Sequence, residues 1–410
     1  MIKKLAIGCL LLLSSLFATA QQNSITGKVV TGTNKAALPN ASVFIRGTSK
    51  GTISAADGSF ALHNISPGSY DLVISSVGYT TVLYSFTADK LPLTLTIEMT
   101  LKVTELDAVT VEPFDEETWE KWGQFFTESF IGTSDAAKQT RILNHKIIRF
   151  RFYKKRNALE AIADEPLIIE NRALGYRIKY YLEEFSWSGK DQSIVFLGYE
   201  LFEDMAEGRK RIPKRWVDNR RKAYMGSIVH FMRSLYNNRL VEENFNVRRL
   251  VKERNVEKDR VRAVYALEAR KSVNSGGVTV MRIGGTLPAD SNAYYEKIMR
   301  QPDYIDIFGT ATLTADSIVT VRNDSARILF FPNYLYITYT AAKEEEAYLR
   351  AHLQSRKPWY PSSPIFLQSG SPVIIDRNGL YNPPQEIFSL GYWAWSEKIA
   401  HMLPVDYEIK

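Results

Sequence analysis

The histidines are the first residues to test for chemistry in this sequence, because they could ligate a metal or move a proton. A zinc carboxypeptidase needs a Glu three residues after a His, and none of the five histidines has one. The H-E-x-x-H pattern is also absent. Glu397 and His401 are four residues apart and could share a helix face, which is at most half of a metal site. The sequence therefore predicts no metal and no cofactor.

Ser227 and His230 could form a nucleophile and its base, since they lie three residues apart in a predicted helix. Both fall outside the apolar stripe of that helix, and no G-x-S-x-G elbow presents a serine on a strained turn. The sequence therefore favours a non-catalytic protein. The alternative is a hydrolase with a carboxylate-based site in residues 117–410, because a pair of catalytic carboxylates leaves no readable spacing.

A basic block between residues 209 and 222 could bind an anionic partner. It holds eight Lys or Arg side chains in fourteen residues and one acid, Asp218. The alternative is a loop followed by a solvated helix face. No nucleic-acid-binding motif accompanies the block, so nucleic acid is not the predicted partner. The candidate residues are Arg209, Lys210, Arg211, Lys214, Arg215, Arg220, Arg221 and Lys222.

Four aromatic residues near the end of the chain could stack on the apolar faces of sugar rings. They are Trp359, Tyr360, Trp393 and Trp395. Dense aromatic residues also fill the cores of large domains, and this is the competing interpretation.

These candidates belong to a second region, residues 117–410, which the sequence predicts to be an α+β domain. Apolar residues at helical spacing predict helices over residues 118–131 and 214–240 and a final helix over 385–402. Alternating apolar residues predict several strands, one of them over residues 262–269. Proline and glycine between residues 359 and 382 predict an irregular packed loop.

Residues 24–100 have the pattern of a small all-β domain. Pairs such as Val43 and Ile45 place apolar side chains at every second position, as on one face of a strand. Asp57-Gly58 and Pro67-Gly68 supply the turns between such runs. About seven short strands without intervening helices predict a seven-stranded antiparallel sandwich, as in immunoglobulin-like domains. An acidic linker is predicted over residues 101–116.

An ordered set of motifs in this stretch resembles the carboxypeptidase-regulatory-like domain. The motifs are Ile25-Thr26-Gly27-Lys28-Val29, Leu38-Pro39-Asn40-Ala41-Ser42-Val43, Gly47-Thr48, Gly51-Thr52, Asp57-Gly58-Ser59-Phe60, Tyr70-Asp71-Leu72 and Val77-Gly78-Tyr79. The resemblance implies a transthyretin-like β-sandwich with an accessory role and no catalytic residue. In Bacteroidetes this domain commonly begins exported proteins, and residues 117–410 resemble the unassigned C-terminal region of such proteins.

The first twenty residues have the pattern of a secretory signal peptide. Lys3 and Lys4 precede an apolar run, and Ala18-Thr19-Ala20 forms a small-residue cleavage site. Cys9, the single cysteine, lies inside the apolar run, so ordinary cleavage is favoured over lipidation. No later stretch is long and apolar enough to predict a transmembrane helix in the mature chain. The formal charge of +7 falls to +5 when the two signal lysines are subtracted.

Together these patterns predict an exported, non-catalytic protein that is periplasmic or associated with the outer membrane. The sandwich would serve as an accessory or docking module. The second region would bind an envelope protein or a glycan whose identity the sequence does not specify.

Overall fold

The protein is mostly β-sheet, with several antiparallel sheets. The structure is a computed structural model that describes residues 23–102, 112–273, 289–323 and 326–409. The predicted signal peptide and most of the predicted linker lie outside these residues. The α-helices found within them are α1 (Trp119–Phe130), α2 (Lys214–Tyr224), α3 (Ile228–Tyr236), α4 (Val256–Val273), α5 (Ala289–Met299), α6 (Glu346–Ala351) and α7 (Tyr392–Ser396).

The first seven strands form two sheets. The strands are β1 (Ile25–Thr31), β2 (Ser42–Ile45), β3 (Gly51–Ile53), β4 (Ser59–Leu62), β5 (Ser69–Ser75), β6 (Val82–Thr87) and β7 (Leu93–Met99). Sheet I has the order β4-β1-β7 and sheet II the order β3-β2-β5-β6. Their inward side chains form one buried core that includes Ile25, Val43, Phe60, Leu72 and Met99.

One strand pair departs from the predicted antiparallel arrangement. β1 and β7 run parallel, with Gly27 opposite Leu95. The strands approach closely at this point, since a Cβ on Gly27 would lie 2.1 Å from the Leu95 carbonyl oxygen. Alternation of apolar residues identifies a strand but does not encode its direction relative to its neighbour, and so the parallel pair escaped prediction.

The remaining strands form three further sheets. The strands of sheet III are β8 (Asp115–Glu117), β9 (Thr140–Ile142), β10 (Arg149–Tyr153), β11 (Ala158–Ile162), β12 (Leu167–Asn171), β13 (Tyr176–Ser188) and β14 (Ser193–Asp204). Its order is β8-β10-β11-β13-β12-β9, and β14 pairs with β13. Helix α1 covers this sheet with Phe126 and Phe130, which are fully buried.

Sheets IV and V share a core with helix α3. Their strands are β15 (Phe245–Arg254), β16 (Tyr304–Thr312), β17 (Val319–Asn323), β18 (Ala326–Leu329), β19 (Tyr334–Tyr339), β20 (Ser362–Leu367), β21 (Val373–Asp376), β22 (Tyr381–Asn382) and β23 (Ile387–Ser389). Sheet IV has the order β16-β15-β19-β20-β23 and sheet V the order β17-β18-β21-β22. Phe231 and Leu235 of α3 are buried against both sheets.

Several sequence predictions for the second region, and one for the linker before it, are wrong. The predicted loop at 359–382 contains three strands, and the predicted strand at 262–269 lies inside α4. The predicted helix at 385–402 contains only the short helix α7, with a strand and 3-10 turns around it. The predicted linker ends early, because Asp115 and Glu116 belong to strand β8. Their charges suggested a solvated linker, but the charge of Asp115 is paired with Lys154 at 2.7 Å within the sheet.

The helix predicted over residues 214–240 is two helices, α2 and α3. Gly226 separates them in the left-handed region, with a φ of +81°. Such a conformation ends a helix and favours glycine. The Ser227 hydroxyl then caps α3 by accepting a hydrogen bond from the His230 N–H at 3.1 Å.

The outward face of sheet II is buried against sheet III. Phe44 and Val73 point away from the core of the two-sheet unit and are fully buried with Leu201 of β14. The ring of Phe44 stacks on that of Tyr181 with centroids 5.0 Å apart. The Tyr181 hydroxyl donates to Ser42 Oγ at 2.7 Å. Sheet II is thus covered on both faces at this point.

Backbone hydrogen bonds join the same two sheets and also attach the end of the chain to sheet II. The Gly47 N–H donates to the Glu200 carbonyl at 2.8 Å, and the Phe202 N–H donates to the Thr48 carbonyl at 3.0 Å. The Val405 N–H donates to the Gly47 carbonyl at 2.6 Å. The loop after β2 therefore holds both β14 and the C-terminal segment, by which we mean residues 396–407.

Candidate binding cleft

A cleft of about 160 Å³ lies where α2, the turn into α3 and the C-terminal segment meet. Met225, Gly226 and Ser227 of that turn line one wall, and Ser396, Glu397 and His401 line another. Glu345 and Lys343, which precede α6, lie at a third side. The cleft therefore combines carboxylate, imidazole and ammonium groups from distant parts of the sequence.

Glu397 follows α7 and points at the first turn of α3. Its Oε1 accepts a hydrogen bond from the Ile228 N–H at 3.0 Å. This N–H lies at a helix N-terminus, where it has no partner within the helix. Burial raises the pKa of the Glu397 carboxyl to about 7, against the smaller opposing effect of the Ile228 hydrogen bond. Glu397 thus fastens the C-terminal segment to α3 and presents a carboxyl group to the cleft.

His401 and Glu345 face each other across a second part of the cleft. His401 Nδ1 lies 2.9 Å from the Ser396 carbonyl oxygen, which can only accept a hydrogen bond. Nδ1 therefore carries the hydrogen, and Nε2 of the neutral ring is an acceptor. Burial lowers the pKa of His401, and the nearby Glu345 charge opposes this. Nε2 and the Glu345 Oε1 are 3.9 Å apart, too far for a hydrogen bond.

Tyr339, at the end of β19, is a buried lining residue of the same cleft. Its hydroxyl has no hydrogen-bond partner in the described part of the chain. A buried hydroxyl without a partner costs about 1–3 kcal/mol relative to a satisfied one. This destabilising hydroxyl lies at a cleft, where a bound ligand could hydrogen bond to it.

The Ser227 and His230 pair does not have catalytic geometry. The Ser227 hydroxyl is the cap of α3, and His230 Nδ1 accepts from the Gly226 N–H at 3.0 Å. The other ring nitrogen of His230 lies 3.3 Å from Glu243. Neither imidazole nitrogen is therefore directed at the serine, and burial lowers the pKa of His230.

The basic block is divided by the structure rather than presented as one patch. Arg220 is buried, and its two terminal nitrogens bind the two Asp204 carboxylate oxygens at 2.9 and 2.8 Å. Arg220 also donates to the Leu174 carbonyl at 2.7 Å. Lys222 faces the cleft and pairs with Glu345 at 3.3 Å. The residues that stay exposed are Arg209, Lys210, Arg211, Lys214, Arg215, Arg221 and Lys222.

Arg220 is therefore a correction to the predicted patch. Its side chain lies over the Tyr176 ring at 3.9 Å and joins α2 to sheet III. A guanidinium group fits this position because it can bind a carboxylate and two carbonyls at once. Charge density along the sequence cannot distinguish such a structural arginine from a solvated one.

The aromatic candidates also separate into two groups. Trp393 and Trp395 are buried, and their indole N–H groups donate to the Gly226 carbonyl and to the Thr133 hydroxyl. They are core residues and cannot stack on a glycan. Trp359 is 64% exposed and contacts Tyr360, with ring centroids 5.1 Å apart.

Two structural absences complete the description of the candidate sites. Across residues 23–102, 112–273, 289–323 and 326–409, no group of three or more His, Cys, Asp or Glu residues could hold a metal ion. Within the same ranges, no helix has the length and apolar character required to cross a membrane.

Comparison with known proteins identifies the first part of the chain. Residues 25–111 match the family described as the CarboxypepD_reg-like domain. The two-sheet unit is a carboxypeptidase-regulatory-like domain. This confirms the prediction made from the ordered motifs between Ile25 and Tyr79. The match covers about a fifth of the chain and leaves the cleft outside the regulatory-like domain.

Similar solved structures share little with the whole chain, and the search of curated proteins finds no match. A type II cohesin–X-dockerin complex from Acetivibrio cellulolyticus is 21% identical over 19% of this chain and 58% of that chain, with a TM-score of 0.17. The pilus 2b backbone protein of group B streptococcus is 18% identical over 20% of this chain and 42% of that chain, with a TM-score of 0.17.

A third structure covers more of the chain. It is a putative membrane-associated protein of unknown function from Bacteroides fragilis, 11% identical over 90% of this chain and 95% of that chain, with a TM-score of 0.17. TM-scores this low support no conclusion about fold or function. The function has to be argued from the contacts within the protein.

Sequence reasoning missed Glu345 and Tyr339 as cleft residues. Glu345 lies in a run of three glutamates, Glu344–Glu346, that resembles a solvated helix start. In the structure only Glu346 of the three is well exposed, with 80% of its side chain accessible. The available signal in the sequence was the apolar pair Tyr348 and Leu349 that follows. Both are buried in the structure, so this short helix packs inward.

Proposed function

We propose that the protein is an exported, non-catalytic component of the cell envelope that binds a ligand in the cleft. The regulatory-like domain would be a transthyretin-like sandwich with a supporting role. Residues 117–410 would form one α+β domain that carries the binding site. The signal-peptide pattern of residues 1–20 supports export to the periplasm, with or without association with the outer membrane.

One observation carries this proposal: the regulatory-like domain holds the segment that builds the cleft. Gly47 accepts a hydrogen bond from Val405, and the Ser49 hydroxyl donates to Asp406 at 2.9 Å. The same segment contains Glu397 and His401 a few residues earlier. An accessory domain fixed in this way supports a binding site and need not contribute a ligand contact itself.

Helix α3 provides the second attachment of the C-terminal segment. Arg233 donates to the carbonyls of Val405 and Tyr407 at 2.7 and 3.1 Å, and to that of Asn378 at 2.9 Å. Each hydrogen bond from a charged donor contributes about 1.5–3 kcal/mol. The wall of the cleft is thus attached by several hydrogen bonds. This favours selective binding, because ligand binding then has to order little of the wall.

Native mass spectrometry of the full chain recovered from the envelope fraction of its host tests this proposal. Ala341 and Ala342 are adjacent and both exposed, but Ala342 lines the cleft and Ala341 does not. We expect a bound ligand in the wild-type chain and in Ala341→Trp, and a loss of that ligand in Ala342→Trp. Equal ligand occupancy in the two variants would contradict the proposal, as would recovery of the chain from the cytoplasm.

The exposed part of the basic block and the Trp359–Tyr360 pair are further candidate contacts. Lys343 lies over both aromatic rings, with its Nζ 4.5 Å from the Trp359 centroid and 3.3 Å from the Tyr360 centroid. Because Lys343 also lines the cleft, a glycan or protein partner at this pair would lie at the cleft rim. Trp359→Ala is expected to weaken such a partner without destabilising the chain, since this ring is mostly exposed.

A hydrolase is the second candidate function, and Glu397 is the observation that favours it. A carboxyl group with a pKa of about 7 is suited to general acid catalysis near neutral pH. Glu345 is a second carboxylate in the same cleft. Turnover of chromogenic glycosides or peptides that disappears in Glu397→Gln would replace the binding proposal with this one. We expect no turnover.

A further inference from the structure

The polar groups of the cleft have unused capacity to accept hydrogen bonds. Within the described part of the chain, the Glu397 carboxyl has a single hydrogen bond, the one from the Ile228 N–H. None of the described basic side chains hydrogen bonds or pairs with it. A carboxylate has room for about four hydrogen bonds, so this cleft-lining group has most of its capacity unused within the described residues.

The facing pair of His401 and Glu345 also offers unused hydrogen-bond acceptors. Both atoms that face each other, His401 Nε2 and Glu345 Oε1, are acceptors and stand 3.9 Å apart. A nitrogen at about 2.9 Å from both would see them at an angle of roughly 85°, which two N–H bonds of one ammonium group can approach. A single hydroxyl has one hydrogen and could satisfy only one of the two.

The two lysines that line the cleft each contact a group of the protein. Lys222 Nζ lies 3.3 Å from the other Glu345 oxygen, Oε2. Lys343 Nζ lies over the rings of Trp359 and Tyr360. The remaining capacity of the cleft is thus for a ligand that brings hydrogen-bond donors and positive charge.

Tyr339 is an independent observation on the same cleft. Its side chain is 3% exposed, and its hydroxyl has no partner in the described residues. A ligand that reaches this hydroxyl would remove the cost of leaving it unsatisfied. The volume of about 160 Å³ limits the ligand to roughly ten non-hydrogen atoms, on the scale of one water per 10–15 Å³.

We propose that the cleft binds a small organic cation through a primary ammonium or guanidinium group. Glu397 and the facing pair of Glu345 and His401 would accept its N–H groups. This inference rests on the proposed function, since it names the class of ligand for the same cleft.

Calorimetric titration of the purified full chain with three four-carbon probes tests the ligand class. The probes are 1,4-diaminobutane, 1,4-butanediol and succinate, which are similar in size and differ in charge. We expect the diamine to bind and the other two to show no measurable binding. We expect Glu345→Gln and Glu397→Gln each to weaken the diamine about tenfold or more, the range for a lost charged hydrogen bond.

Glu346→Gln is the matched control, because Glu346 adjoins Glu345 but is exposed and paired with Arg350 at 3.5 Å. It should leave the affinity unchanged. Tyr339→Phe covers the case in which the glutamine variants fail to fold. It removes a hydroxyl that has no partner among the described residues, so the chain should remain folded while the diamine binds several-fold more weakly.

Three results would overturn the inference. Binding of the diol or succinate in preference to the diamine, blocked by Ala342→Trp, would leave the cleft as a binding site and refute the cationic class. Diamine binding that none of the cleft variants changes would place the amine site elsewhere. Absence of diamine binding would also refute the inference, while the mass-spectrometric comparison of Ala341→Trp and Ala342→Trp would judge the proposed function separately.

Discussion

Truncating Phe44 should destabilise the second region of the protein, although Phe44 belongs to the regulatory-like domain. The ring is fully buried on the outward face of sheet II, against Leu201 and stacked on Tyr181. Phe44→Ala removes this packing and leaves a cavity. Such substitutions cost about 3–5 kcal/mol in well-packed cores.

Tryptophan fluorescence measures the stability of the second region separately from that of the regulatory-like domain. All seven tryptophans lie between Trp119 and Trp395, outside the regulatory-like domain, so the emission reports on the second region alone. In urea unfolding with a slope of about 3 kcal/mol/M, a loss of 3–5 kcal/mol lowers the midpoint by about 1–1.7 M. If the regulatory-like domain were an independent spacer, the tryptophan transition would not move.

Leu83 offers a matched control on the same face of sheet II. It pairs with Val73 across β5 and β6, but it lies beyond the interface and is 47% exposed. Leu83→Ala should change the stability by less than about 0.5–1 kcal/mol. A tryptophan transition unchanged by Phe44→Ala, or shifted equally by both substitutions, would refute the buried interface.

Three further predictions concern the second region. Arg220→Met should lower the stability by about 3–5 kcal/mol because it breaks a buried ion pair, whereas the exposed Arg221→Met should be nearly neutral in the same urea assay. Tyr339→Phe should leave the unfolding midpoint equal to that of the wild type or higher, because the lost hydroxyl has no partner in the described residues. The pKa of Glu397 rises from 4.5 to about 7 on folding, so the folded chain binds more protons in this window, and stability should fall as pH rises through it. Glu397→Gln should make this fall shallower in unfolding curves recorded between these pH values. Part of the slope should remain, since the pKa of Asp376 is also raised, to about 6. A slope unchanged by Glu397→Gln would refute the assignment.

The regulatory-like domain could be predicted because its signals are local. Turn residues and alternating apolar pairs recur within a few residues of each other, and the order of the motifs identifies the family. The interface of this domain left a weaker local trace. Val43-Phe44-Ile45 and Leu72-Val73-Ile74 are continuous apolar runs, which are typical of strands buried on both faces. That pattern predicts a partner for sheet II but does not identify it.

The second region was harder to predict, because its decisive features are single residues and long-range contacts. Gly226 and Ser227 end one helix and cap the next, yet the apolar stripe continues across them and suggests one helix. In the sequence of helix α4 the apolar residues are spread around the helix rather than gathered on one face, and its surface carries ion pairs such as Arg260 with Glu257. The alternating residues between Arg262 and Ala269 therefore resembled a strand.

The candidate cleft could not be predicted at all from spacing. Glu397 and His401 were considered together only because they are four residues apart, as on a helix. In the structure the chain turns between them, and each meets a different partner, the Ile228 N–H for Glu397 and Glu345 for His401. These partners are separated from them by tens to hundreds of residues, so no local pattern records the contact.

The connection between the accessory domain and the cleft suggests how a domain without functional residues can affect binding. The loop after β2 hydrogen bonds to Val405 and Asp406, and Arg233 holds the same segment from the other side. Loosening either attachment would give the segment that carries Glu397 and His401 more conformational freedom. Ligand binding would then have to order that segment again, at a cost in affinity. The regulatory-like domain would thus act on the cleft through the C-terminal segment, without contact with the ligand.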